Sequence, residues 1–182
     1  FKLLFLAVSV YPEENESVLQ PYLAEIILSC FRHYPKASSP VNYFLLLRSL
    51  FRSIGGGRFD SLYKEVLPLL QTILDELAHL SPGLADPNLR DMYVELCLTT
   101  PVRLSNLLPF LSYLMRPVLL ALQSGTDLVN QGLRTFELCV DNLTPDFLEP
   151  IVAPVFPEIL ECLWKMLKPP PANQLHSHTA VR

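Results

Sequence analysis

Apolar residues recur along this chain with helical spacing and nowhere with the strict alternation of a strand. Between Asp60 and Leu80, Leu62, Tyr63, Val66, Leu69, Leu70, Ile73, Leu74, Leu77 and Leu80 form one broad stripe, with Lys64, Glu65, Gln71, Asp75, Glu76 and His79 on the polar side. The stripe predicts a helix over 60–80. Such a helix cannot stand alone, because its apolar face needs neighbours on more than one side, and stacked helix pairs supply them.

Prolines mark where the pairs fall. Ser39-Pro40, Asp86-Pro87 and Thr144-Pro145 each place Pro after a good N-cap residue, where a helix starts and no N–H is missed. A second set follows the pattern apolar, any, Pro, any, apolar: Leu19 to Leu23, Val66 to Leu70, Leu107 to Leu111 and Val155 to Ile159. The prolines at 21, 68, 109 and 157 stand 47, 41 and 48 residues apart, around the period of roughly 40–47 of HEAT or armadillo units. Val94-Glu95-Leu96-Cys97-Leu98 is echoed by Phe136-Glu137-Leu138-Cys139-Val140 about one repeat later. Gly55-Gly56-Gly57, Ser81-Pro82-Gly83 and Ser124-Gly125 fall where helices must stop.

The expectation is an all-α, HEAT-type α-solenoid. Residues 1–168 divide into four helix pairs at about 1–34, 40–80, 87–122 and 126–168, and 169–182 hold a Pro-rich break and the start of a further repeat. The chain opens in mid-helix and closes on Ser177-His178-Thr179-Ala180-Val181-Arg182, so it reads as a piece of a longer array. Cut ends of that kind bare Phe1, Leu4, Phe5 and Val8 on one side and Leu160, Leu163, Trp164 and Leu167 on the other, while Leu138 is assigned to the interior.

Composition narrows the function classes. Lys and Arg number 14 against 18 Asp and Glu, a net charge of −4, and no basic run marks a nucleic-acid binder, so direct DNA or RNA binding is not expected. Cys30, Cys97, Cys139 and Cys162 are far apart, form no CxxC pair and sit in apolar stretches, as buried thiols of a reducing compartment do. No uninterrupted apolar run reaches the roughly eighteen residues of a membrane span, and no membrane partner is expected. Asn15-Glu16-Ser17 and Asn142-Leu143-Thr144 match the glycosylation sequon, which matters only in a secreted protein.

Candidate chemistry is sparse. Gly55-Gly56-Gly57-Arg58 joins backbone amides to a cation, but it lacks the Lys-Ser/Thr of a phosphate loop and any preceding strand, so it reads as a permissive turn. His176 and His178 could bind a metal only with ligands from elsewhere. His33 and His79 read as solvated side chains, Glu13, Glu14 and Glu16 as a solvated acidic turn, and Cys97 and Cys139 as core thiols with raised pKa. No catalytic, cofactor-binding or metal-binding residue is assigned, no cofactor is expected, and the partner-binding residues are left open.

Three long strings carry a resemblance. Asn42-Tyr43-Phe44-Leu45-Leu46-Leu47-Arg48-Ser49-Leu50-Phe51-Arg52-Ser53-Ile54-Gly55-Gly56-Gly57 is similar to a segment of the transformation/transcription domain-associated protein family. So are Val94-Glu95-Leu96-Cys97-Leu98-Thr99-Thr100-Pro101-Val102-Arg103-Leu104-Ser105 and Gln131-Gly132-Leu133-Arg134-Thr135-Phe136-Glu137-Leu138-Cys139-Val140-Asp141-Asn142-Leu143. The resemblance implies a giant HEAT-repeat pseudokinase subunit of SAGA-type and related histone acetyltransferase complexes. It also implies a nuclear, non-enzymatic scaffold whose protein partners are transcriptional activators, acetyltransferase-complex subunits and the flanking repeats of its own longer chain. The strings hold no family motif that performs chemistry. The repeat pattern alone also fits another HEAT scaffold, such as a nuclear transport receptor or a phosphatase scaffold, or the helical arm of an active phosphatidylinositol-3-kinase-related protein kinase.

Overall fold

The computed structural model describes residues 10–55, 59–80, 86–101, 103–125 and 127–167, and every regular element among them is helical. The chain forms two compact units, Phe1–Leu108 and Pro109–Arg182. The first holds α1 (Pro12–His33), a 3₁₀ turn (Tyr34–Lys36), α2 (Val41–Gly55), α3 (Asp60–Val66), a 3₁₀ turn (Leu67–Leu69), α4 (Leu70–Leu80), α5 (Pro87–Leu98) and α6 (Leu104–Leu107). After the 3₁₀ turn Leu108–Phe110, the second holds α7 (Leu111–Gln123), α8 (Leu128–Asn142), α9 (Pro145–Val152) and α10 (Phe156–Leu167).

The capping prolines act largely as the sequence predicts. Asp86 caps α5, its carboxylate accepting from the Asn88 N–H at 3.0 Å with Pro87 at the first helical position. Thr144 precedes Pro145 and α9, but only its backbone carbonyl accepts, from Phe147 and Leu148. Pro40 lies one residue before α2. The recurring prolines have different local outcomes: Pro21 lies inside α1, Pro68 and Pro109 in 3₁₀ turns, and Pro157 in the first turn of α10. The single helix expected over 60–80 is therefore two. Pro68 has no N–H to continue the α-helical ladder, and the chain tightens to 3₁₀ there. The stripe survives, with Leu62, Val66, Leu70, Ile73, Leu74 and Leu77 buried.

Unit one stacks like helices: α1 packs on α3 and α2 on α5, while α4 lies against α5. Polar side chains tie the layers at a fixed distance along the chain. The Glu16 carboxylate on α1 accepts from the Ser61 and Leu62 N–H groups at 2.8 and 3.0 Å, and Gln20 Nε2 donates to Glu65 Oε1 at 2.9 Å. Tyr63 Oη accepts from the Arg103 N–H at 3.2 Å and from Asn106 Nδ2 at 2.8 Å. These bonds join residues 40 to 46 positions apart, one repeat length.

Glu16 corrects the reading of the acidic turn as merely solvated. The N-cap of α3, Phe59, has no side chain that can accept, so the orphan amides of its first turn are satisfied from α1 instead. Glu13 and Glu14 belong to α1, and their side chains lie outside the described residues. Glu16→Ala is expected to lower stability by about 1–2 kcal/mol, the range for losing charge-assisted bonds at a half-buried site. Glu16→Gln, which keeps an acceptor, is expected to lose less, and denaturant unfolding of both variants checks this order.

In unit two, α7 is the central helix, packed on α8, α9 and α10. Leu111, Leu114, Met115, Val118, Leu119 and Leu122 are buried there. The run Ser105–Gln123 is long and apolar enough to cross a membrane by length and composition, although polar residues interrupt it; nearly half of it is buried against protein. Helix α8 approaches α7 closely at Gly132, where an added Cβ would lie 2.8 Å from Ala121 Cβ and 3.3 Å from the Val118 carbonyl oxygen.

The interior placement of Leu138 is overturned. Its echo partner Leu96 on α5 is 0% exposed, whereas Leu138 on α8 is 49% exposed. Tyr93 to Cys97 form five consecutive buried residues, α5 lying against both α2 and α4. Helix α8 buries Leu128, Val129, Gly132, Leu133 and Cys139 on the side toward α7, and Leu138 lies off that stripe. At the C-terminal end, Leu160 and Trp164 are exposed and Leu163 and Leu167 half-buried; Phe1, Leu4, Phe5 and Val8 lie outside the described residues.

Candidate partner-docking groove

Two of the strings that carry the resemblance meet in unit one. Asn42–Gly55 belongs to α2, Val94–Leu98 ends α5, and the two helices lie side by side. Glu95 is the one charged residue buried among the described residues. Its Oε1 accepts from Arg48 Nε at 3.0 Å and from the Arg52 guanidinium, both on α2. An isolated carboxylate would not tolerate burial, so pairing with a guanidinium group is the condition for Glu95 lying there, and Arg48 and Arg52 both supply one. The count leaves one surplus positive charge. Arg52 is half-exposed and a guanidinium carries five N–H donors, so hydrogen-bonding capacity remains at the surface.

Beside this cluster lies a groove of about 430 Å³, lined by Phe51, Arg52, Gly55, Leu98, Thr99, Thr100 and Pro101. The Thr99 and Thr100 hydroxyls donate to the Glu95 and Leu96 carbonyls at 2.7 and 3.0 Å, so their protons are committed to the helix end. A second, smaller cavity of about 90 Å³ shares Gly55 and Pro101 and reaches Asp60, Tyr63 and Arg103. There the Arg103 guanidinium stands 5.2 Å over the Tyr63 ring and 3.9 Å from Asp60 Oδ1. Apolar floor, half-exposed guanidinium and short polar rim suit contact with another protein segment.

Of the other positions raised by the sequence, Gly55 lines the groove, and His33 and His79 do not. His33 and His79 are exposed, and the His79 ring sits 2.6 Å from the Asp75 carbonyl through Nδ1. Gly56, Gly57, Arg58, His176 and His178 lie outside the described residues. No group of three or more His, Cys, Asp or Glu side chains placed to hold a metal ion occurs among the described residues. The Glu95 cluster was not singled out from sequence, although its signal is there: a lone charge inside an apolar run, and two arginines four apart on one helix face.

Burial sets the thiols. It pushes Cys97 up to about 12 and Cys30 and Cys139 up to about 11, and raises half-buried Cys162 as well. Because these folded-state values lie above the ordinary thiol value of 9.0, the stability they contribute is complete below pH 9 and is lost as pH rises toward 11–12. At pH 8, iodoacetamide is expected to label Cys162 first, and Cys30, Cys97 and Cys139 only after unfolding, as mass spectrometry of the native and denatured chain would read.

Comparison with known proteins places the chain. Residues 1–170 match the Tra1 HEAT repeat central region. Over all 182 residues the chain is 52% identical to the transformation/transcription domain-associated protein of Homo sapiens, and 48% identical to the SAGA complex/NuA4 acetyltransferase complex subunit TRA1 of Saccharomyces cerevisiae. A probable transcription-associated protein 1 of Dictyostelium discoideum is 31% identical over 161 residues, 86% of this chain and 4% of that protein. The chain spans 5% of the length of the human and yeast relatives. It belongs to the Tra1 HEAT-repeat central-region family, that of the transformation/transcription domain-associated proteins.

Proposed function

We propose that this segment is a non-catalytic scaffold of a nuclear transcription coactivator, docking activators and acetyltransferase-complex subunits while stacking on flanking repeats of a longer chain. The observation that carries this reading is the match, along the whole of this chain, to a subunit named for the SAGA and NuA4 acetyltransferase complexes. We further assign the four helix pairs about 1–34, 40–80, 87–122 and 126–168 as its repeats, the one-repeat spacing of the side-chain bonds in unit one supporting that division. The α2–α5 groove is the surface we assign to a partner. In this reading the segment turns over no nucleotide and holds no metal.

Recovery of partners on the tagged chain from nuclear extract tests the proposal. Acetyltransferase-complex subunits are expected. A small GTPase or a phosphatase subunit in their place would favour a transport receptor or a phosphatase scaffold. Arg52→Gln is expected to reduce recovery several-fold without lowering the melting temperature much, because Arg48 still pairs with Glu95. Unchanged recovery would remove the groove from the interface.

A further inference from the structure

Four hydroxyl residues in this chain stand directly before a proline, and one of them differs from the rest in what its side chain does. Ser81-Pro82 lies outside the described residues. Thr100 is half-buried, donates to the Leu96 carbonyl at 3.0 Å and is followed by the buried Pro101. Ser39 is exposed, but its oxygen accepts from Asn42 Nδ2 at 3.4 Å. Thr144 is exposed, its proline is exposed too, and its side chain makes no cap bond to α9, the helix it precedes. The backbone carbonyl of Thr144 takes the amides of Phe147 and Leu148, so the hydroxyl is spare.

The backbone around Thr144 is presented for recognition as well. Helix α8 ends at Asn142, and Leu143 (φ −118°, ψ 147°) and Thr144 (φ −71°, ψ 147°) are extended, the conformation a residue before proline favours. Asp141, Asn142, Pro145, Asp146 and Phe147 are exposed, and Leu143 is half-buried. A protein kinase takes its substrate as an extended segment, and the proline-directed class takes proline, which has no N–H to satisfy, directly after the acceptor hydroxyl. Only the first turn of the eight-residue helix α9 has to fray for a kinase to hold the residues past Pro145.

We propose that Thr144 is a phosphorylation site for a proline-directed protein kinase. Thr144 Oγ attacks the γ-phosphorus of ATP, the new O–P bond forms as the bond to the ADP oxygen breaks, and the catalytic carboxylate of the kinase takes the hydroxyl proton. The phosphate then stands at the N-terminal end of α9, where negative charge is favoured, and no buried side chain has to move to make room for it. It adds about 1.5–2 negative charges to a unit whose described residues carry three Lys and Arg against seven Asp and Glu. This inference goes beyond the scaffold reading above and takes from it only a compartment that supplies ATP and kinase.

The test places this segment in the full-length Saccharomyces cerevisiae relative, in exchange for the stretch that it matches over all 182 residues. The folded chimera is incubated with magnesium and ATP and with purified kinases of the cyclin-dependent and mitogen-activated classes, then digested with trypsin. Residues 135–165 form one tryptic peptide whose only hydroxyl side chains are Thr135 and Thr144, so fragment masses assign the phosphate. Phosphate on Thr144 is expected, at a rate within about ten-fold of that of a free peptide spanning 140–150, because an exposed extended site does not wait for local unfolding. Pro145→Ala, which keeps the hydroxyl, is expected to slow the modification several-fold, and the phosphorylated chimera is expected to melt no lower than the unmodified one. Modification of the free peptide but not of the folded chimera would overturn the proposal, and so would phosphate on Thr135 instead, an unchanged rate in Pro145→Ala, or a free peptide that no such kinase modifies. None of these results bears on the scaffold reading, which recovery of partners tests.

Discussion

Leu96→Asp is expected to unfold unit one, while the same change at its echo position, Leu138→Asp, leaves helicity and melting close to wild type. The two residues occupy equivalent places in similar pentapeptides, but Leu96 has no exposed surface and Leu138 has half of its own in water. Truncating a buried Leu already costs about 2–5 kcal/mol. A carboxylate in its place adds the cost of an unpaired charge, or of a protonated acid without partners. Together these reach the whole stability of an ordinary domain, about 5–15 kcal/mol. At Leu138 the carboxylate stays hydrated and the loss is a fraction of one leucine's burial, with a small penalty for an acid near a helix C-terminus, about 1 kcal/mol in all. Circular dichroism melting of both variants decides it. A Leu138→Asp chain that unfolds beside a stable Leu96→Asp chain would reverse the assigned faces.

Gly132→Ala is expected to destabilise unit two, against the ordinary preference of helices for alanine. In an open helix the change would gain about 1 kcal/mol. Here the new methyl would stand 2.8 Å from Ala121 Cβ, where carbon atoms normally keep about 3.5–4.0 Å. Ala121 Cβ is fixed to its backbone and cannot swing aside, and the Val118 carbonyl oxygen at 3.3 Å blocks the other direction. Helices α7 and α8 must therefore part, and overpacking of that kind costs about 1–3 kcal/mol. The net expectation is a loss of up to about 2 kcal/mol, larger for Gly132→Val. Ala121→Gly in the same chain should restore part of it, giving a coupling of about 0.5–3 kcal/mol in a double-mutant cycle followed by denaturant unfolding. Additive effects would show that the two positions do not touch.

The sequence made helices and their period legible because both follow from the spacing of apolar residues and the chemistry of proline, which are local. Asp86 and Pro87 start α5 as read, and the stripe on 60–80 is buried as read, although Pro68 divides the helix that carries it. What escaped depends on residues brought together from one repeat away. Glu16 reads as part of a solvated acidic turn until α3 offers it two amides. Gly132 reads as a weak helix former until α7 lies against it. Leu138 went wrong for the same reason: its string matches that of Leu96, but burial is a property of neighbours, and α5 lies against both α2 and α4. The groove residues Phe51, Leu98 and Pro101 carry no short code, since any apolar floor would read alike.

The one-repeat spacing of the polar bonds in unit one bears on how force would travel through it. Glu16 to Ser61, Gln20 to Glu65, Arg52 to Glu95 and Tyr63 to Asn106 each bypass the whole turn between their helices. A pull along the stack therefore loads these side chains before it straightens any loop. Extension by a small amount strains a row of hydrogen bonds in parallel, and larger extension frees the first turn of α3, whose cap belongs to the layer before it. Tension there would melt the start of α3 by displacing the Glu16 carboxylate of the preceding layer, whereas α5, capped by its own Asp86, would keep its first turn.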